Sequence, residues 1–255
     1  MISEEKSDSE ARKSRFLPEL KAYDLLLGKM NEVLDRSAEA IKVRETQPER
    51  DLDLLVAAMH GKAGKTYQAI LELCLSGFGE DALVLLRSNI NLMINLLYIL
   101  SEDSAKRAGD LVAYSHKEQE KYLRLAHGRR PEWMERLDWD KIDRYADAWE
   151  RNIAKKAESC KQLFHYNVGY RFYSSIEHSD AWSLSSLIDE NETQIRIASE
   201  PSDKYVSIAL VHSFGIMANI FLAFCSHFKI PYEDIKAILN EQWENVGKDS
   251  GQITD

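Results

Sequence analysis

Turn-forming residues are scarce in this chain: 11 glycines and five prolines are spread over 255 residues. A sandwich or barrel of short strands needs a turn signal about every 8–12 residues, so the scarcity directs the chain toward a few long helices. At this length folding buries roughly 70–75% of the extended surface, and neither a disulfide nor a metal is needed for a stable core. The content of 44% hydrophobic and 29% charged residues is that of a globular protein and excludes collagenous and wholly disordered classes.

Hydrophobic spacing divides the chain. Leu20, Tyr23, Leu27, Met30 and Leu34 recur at steps of three and four, which predicts an amphipathic helix from Leu17 to about Glu45, preceded by a disordered tail over 1–16. Pro48 suits the first turn of a second helix ending at Gly77-Phe78-Gly79, and a third runs from Glu80 to about Leu100. Ser104 is expected to cap a fourth and Gly128 to end it. Pro131 to about Cys160 predicts two shorter helices, and Leu163 to His178 another, with Gly169 as its weak point. Ala181 to Ile188 suggests a short helix, whereas Asn191 to Glu200 has no clear period. Ser202 or Asp203 is the expected cap of a long apolar helix to about Phe228, and Pro231 opens a last one that fades near Gly247. With no internal repeat or linker, 17–246 reads as a single all-α multi-helix bundle followed by a flexible tail over 247–255.

Several sequence signals point away from function classes. Cys74, Cys160 and Cys225 are far apart and read as reduced, buried thiols. Met1 to Glu10 is acidic and polar, unlike a secretory leader, which makes the cytoplasm the expected location. Ala82 to Leu100 approaches membrane-spanning length, but Arg87, Asn89, Asn91 and Asn95 interrupt it, so a core helix and no membrane partner are expected. Gly61 to Thr66 imitates a phosphate-binding loop, but Met59 stands where the first glycine is required, and the segment follows no strand. No Glu is followed three residues later by His, as a di-iron bundle requires, and the histidines lack metal-ligand spacing, so neither metal nor cofactor is expected.

One segment carries chemistry. In Tyr170-Arg-Phe-Tyr-Ser-Ser-Ile-Glu-His178, Arg171 and His178 are two helical turns apart on one face, with Ser174 and Ser175 between them. Phe172, Tyr173 and Ile176 fall on the opposite, apolar face. Such a stripe suits a phosphodiester: a guanidinium grips the nonbridging oxygens, and an imidazole moves the proton of an RNA 2′-hydroxyl or of the leaving oxygen, without a metal. Arg87, Asn91, Asn95 and Tyr98 make a polar ladder on an apolar helix. Either Arg87 and Asn91 form one wall of the cleft that holds Arg171, or the ladder is a buried network that fixes helix register.

The Ala82–Tyr98 and Tyr170–Asp180 segments resemble a family of uncharacterised bacterial proteins, in which an Ala-x-x-Leu-x-Arg-Ser helix precedes a Tyr-Arg-x-x-Ser-x-x-x-His segment. The second segment also resembles the Arg-x(4–6)-His signature of the HEPN superfamily. Those helical proteins often act as metal-independent ribonucleases in toxin–antitoxin and antiviral systems, with their motif helices meeting across a homodimer. The resemblance implies Arg171 as phosphate ligand, His178 as proton-transfer residue, and an antitoxin or other protein as a partner. Phe172 and Asn91 depart from the patterns, standing where a polar residue and an acid are commoner. A noncatalytic helical interaction module, or one that binds an anion or nucleotide, is the alternative reading.

A net charge of −9 speaks against general nucleic-acid binding, but it is unevenly spread. From Lys117 to Arg171 there are 13 Lys and Arg against 10 Asp and Glu, and Lys117, Lys121 and Arg124 share a helix face on which a phosphate backbone can run. A local RNA cleft beside the Arg171–His178 stripe is the resulting expectation.

Overall fold

The computed structural model describes residues 11–43, 47–178, 181–185, 188–190, 195–197, 200–232, 236–237 and 240. It is an all-α bundle. Leu17–Lys42 (α1), Gln47–Leu75 (α2), Gly79–Ser101 (α3) and Ser104–His127 (α4) are long helices, as their spacing predicts. The polar stretch that follows holds three short helices rather than two: Glu132–Glu135 (α5), Trp139–Ala148 (α6) and Ile153–Ser159 (α7). Asp138 and Asn152 start the latter two by accepting hydrogen bonds from the backbone N–H of Lys141 and Ala154. A π-helical turn, His165–Tyr170, leads into Arg171–Glu177 (α8), and Ala181–Ser185 (α9) precedes an antiparallel pair of three-residue strands, Ile188–Glu190 (β1) and Ile195–Ile197 (β2). Val206–Phe228 (α10) is a further long helix.

Helices α2, α3 and α10 form the centre. On α2 the buried residues Leu52, Val56, Met59, Ala63, Tyr67, Ile70 and Cys74 follow steps of three and four, so one stripe faces inward. Tyr67 stacks on Tyr23 of α1 with ring centroids 3.8 Å apart, and the Tyr23 hydroxyl hydrogen-bonds Ser213 of α10. Both α3 and α10 are long and apolar enough to cross a membrane, with mean hydropathies of 1.6 and 2.0, and here they pack against each other. The three cysteines are free, and burial pushes Cys74 and Cys225 up to about 12.

Gly77, at φ +82°, ends α2 in the left-handed conformation, and Phe78 N–H bonds back to the Leu73 carbonyl. At Gly79 a Cβ would lie 2.2 Å from the Lys204 carbonyl oxygen, so only glycine lets the start of α10 approach the start of α3. Ser202 N–H donates to the Gly77 carbonyl and closes the same junction.

Several local expectations need correction. The stretch before Leu17 is helical over 11–15, and Arg12 and Arg15 pair with Asp203, so this part of the expected tail is anchored. Asp203 therefore does not cap α10; the residue before it is Tyr205, in the left-handed region. Ser104 is the first residue of α4 and Asp103, also left-handed, precedes it, while Gly128 terminates α4 as expected. β2 falls within Asn191 to Glu200, where no period was legible, whereas β1 begins at Ile188, the expected end of a short helix that spans Ala181–Ser185; three-residue strands are too short to show an alternation. Residues 1–10 and 241–255, and with them most of the expected last helix and both outer tails, lie outside the described residues.

Candidate functional site

The candidate segment sits where α7, the π-turn and α8 fold over α3. A π-turn carries one residue more than an α-turn and is a frequent feature of functional sites. Gly169 is what lets it lie flat here: a Cβ would stand 2.7 Å from Ile90 Cδ1 on α3. The weak point anticipated at Gly169 is thus this change of helical pitch. The turn stacks Tyr166 on Tyr170, with ring centroids 5.5 Å apart, and hands the chain to α8 without a break.

Arg87 on α3 is the hub of the site. Its Nε donates to Ser174 Oγ at 2.7 Å, Nη2 to the Tyr170 hydroxyl at 3.0 Å, and Nη1 pairs with Glu177 Oε2 at 2.6 Å. The guanidinium carbon also lies 4.6 Å from the Tyr170 ring centroid. A planar, forked cation thereby engages Tyr170, Ser174 and Glu177, three residues on one stripe of the segment. Ser174 Oγ and Ser175 Oγ additionally donate to the carbonyls of Tyr170 and Phe172 one turn back.

Arg171 and His178, expected to do the chemistry, are both exposed. His178 follows the last residue of α8 and donates its backbone N–H to the Ser174 carbonyl; its side chain is 72% accessible. Glu177 Oε2 lies 3.9 Å from His178 Nε2, so one carboxylate stands between Arg87 and the imidazole. The structure therefore brings Arg87, Ser174, Glu177 and His178 together. Tyr173 is buried on the opposite face, with Phe172 and Ile176 packed beside it, as the spacing requires.

The other ladder residues serve a different neighbour. Asn95 Nδ2 donates to Asn91 Oδ1 at 3.1 Å, and Asn95 Oδ1 accepts from Lys156 Nζ of α7 at 2.5 Å. Asn91 thus belongs to a network holding α7 against α3, because its partner one turn away points toward α7 while Arg87 reaches α8. Lys117 pairs with Asp143 and Asp147, both at 3.1 Å, Lys121 with Glu118 at 2.6 Å, and Arg124 with Glu120 at 3.8 Å. Each charge on the expected phosphate-tracking stripe is engaged by an acid, and Lys117 serves to hold α6 on α4.

Three groupings escaped sequence reasoning, the first two because their members are distant in the chain. His227 Nε2 meets the buried Asp53 Oδ1 at 2.6 Å, Tyr173 hydrogen-bonds His212 Nδ1, and Lys156 is buried with its ammonium 4.7 Å from the Trp149 ring centroid. Desolvation pushes Lys156 down to about 8. Among the described residues no three His, Cys, Asp or Glu side chains cluster as a metal site would require.

Residues 53–195 match a family of unknown function, DUF5677. The matched region contains Arg87 and the whole of Tyr170–His178, and it ends before α10. No curated protein and no solved structure matches the chain.

Proposed function

The chain belongs to the family of unknown function DUF5677, and on that premise we propose that it is a HEPN-like, metal-independent endoribonuclease that works as a homodimer. The observation carrying this reading is the division of labour on one short helix. Arg87 engages Tyr170, Ser174 and Glu177 and fixes the segment, while Arg171 and His178 face solvent.

In the reaction Arg171 holds the nonbridging oxygens of a phosphodiester and balances the charge that grows on them. His178 of one copy accepts the 2′-hydroxyl proton as that oxygen bonds to phosphorus. The bond from phosphorus to the 5′-oxygen breaks, and that oxygen takes a proton from the His178 imidazolium of the second copy. A 2′,3′-cyclic phosphate and a 5′-hydroxyl end result. Glu177 orients His178 and is itself held by Arg87, a positioning role for both.

Incubation of purified protein with RNA in EDTA tests this. Wild type is expected to cleave, and His178→Ala or Arg171→Ala to lose at least about 10²-fold in rate, the lower range for general acid–base catalysis. Both side chains are exposed, so circular dichroism and thermal midpoint should hardly move. Cleavage that persists in both variants removes the residues from the mechanism, and absence of cleavage by wild type leaves a noncatalytic binding module.

A further inference from the structure

A cavity of about 480 Å³ lies on the other side of the π-turn, between it and α10. Ile90 of α3 and Gly169 of the turn face Phe214 and Leu222 of α10 across it, which makes its walls largely apolar. The volume falls within the ~300–1,000 Å³ of ordinary small-molecule sites, which combine apolar walls with a few polar groups that fix orientation.

The polar groups here are mostly nitrogen donors. His165, His212 and Lys236 all line the cavity. Tyr173 hydrogen-bonds His212 Nδ1, and burial holds the phenol protonated. Among the described residues the Tyr173 hydroxyl is bonded to His212 Nδ1, and a hydroxyl that donates there places the imidazole proton on Nε2. His212 therefore presents an N–H on the ring edge away from Tyr173. Burial also lowers both imidazoles, each in the direction of the neutral form. Asn219, which gives one Nδ2 hydrogen to the Gly215 carbonyl at 2.8 Å, also lines the cavity.

We infer that this cavity is a binding site for a small amphiphilic acid, an aromatic or aliphatic body carrying one carboxylate. The body lies against Ile90, Gly169 and Leu222, and the carboxylate takes the His212 Nε2–H and the Lys236 ammonium. This site is separate from the exposed Arg171–His178 face and does not depend on the ribonuclease reading. The two are mechanically joined, since the π-turn runs directly into α8 and Tyr173 of α8 fixes the His212 ring.

The test uses the full chain and 2-naphthoate, a fluorescent aromatic carboxylate. Saturable binding below about 1 mM is expected, with movement of the His212 imidazole nitrogen signals in long-range ¹H–¹⁵N spectra of the wild type. Naphthalene-2-carboxamide, the uncharged counterpart, should bind about tenfold more weakly, and so should 2-naphthoate to His212→Phe. Ala218→Trp, which fills the cavity from α10, should abolish binding. Absence of saturable binding to wild type, or histidine signals that stay fixed at saturation, overturns the site. Undiminished affinity in both variants places the probe elsewhere and does the same, and equal affinity for acid and amide overturns the carboxylate assignment.

Discussion

Lys156 shows how a single residue carries both a cost and a measurable signature. It is 4% exposed, its hydrogen-bond acceptor among the described residues is Asn95, and the Trp149 face supplies further attraction. Burial pushes it from 10.5 down to about 8. Between those values the unfolded chain holds a proton that the folded chain has released, so the Lys156 contribution to stability rises with pH through that window. The raised thiols of Cys74 and Cys225 act in the opposite direction above their ordinary value. The stability difference between wild type and Lys156→Met, followed by urea unfolding from pH 7.5 to 10, should therefore move in favour of wild type by on the order of 2–3 kcal/mol. A difference that stays constant or moves the other way over that range contradicts this origin. None of it was legible in the sequence. The ladder Arg87, Asn91, Asn95 could be read from its spacing, but its partners lie 61 to 90 residues away or more locally on α3 itself, and spacing reports only the residues that share one helix.

At the scale of elements, the long helices were legible because their apolar stripes repeat over many turns, and the caps were less so. A cap is decided by one or two residues whose side chains have competing uses: Asp203, the expected cap of α10, is held by Arg12 and Arg15. Two glycines differ in what an added side chain would meet. At Gly79 an added Cβ meets backbone, the Lys204 carbonyl oxygen at 2.2 Å, and neither α10 nor α3 can yield without displacing the core. At Gly169 the obstacle is Ile90 Cδ1 at 2.7 Å, the far end of a side chain that can rotate. Gly79→Ala is therefore expected to cost roughly 3 kcal/mol or more and Gly169→Ala nearer 1 kcal/mol. Chemical denaturation of both variants checks the order; a larger loss at Gly169 would mean that the π-turn, and not the α3–α10 junction, is the less tolerant contact.

For the whole molecule, the scarcity of glycine and proline pointed correctly to an all-α bundle, while net charge said little about the site, because Lys117, Lys121 and Arg124 of the central stretch are engaged locally. Acid stability is set by the interior instead. Desolvation pushes His60 from 6.5 down to about 4, where it packs on Phe224 with ring centroids 4.1 Å apart, and the same cause lowers His165 and His212. Each binds its proton less readily in the folded chain, so the unfolded chain binds more protons below the ordinary value. The His60 contribution is complete above about pH 6.5 and is lost as pH falls toward 4, and His165 and His212 act in the same direction. Thermal midpoints should decline over that interval, and His60→Phe should make the decline shallower; an unchanged slope would assign it to other groups.

The junction at Gly77 and Gly79 also bears on the order in which the chain assembles. The α2–α3 hairpin closes through neighbours in sequence, whereas the Ser202–Gly77 hydrogen bond joins residues 125 positions apart. Loop-closure entropy grows only as the logarithm of that separation, but it must be met before any long-range contact repays it. The hairpin can thus form first and offer a groove whose floor is the missing Cβ of Gly79, and α10, which leaves the ribosome later, completes the centre by docking there.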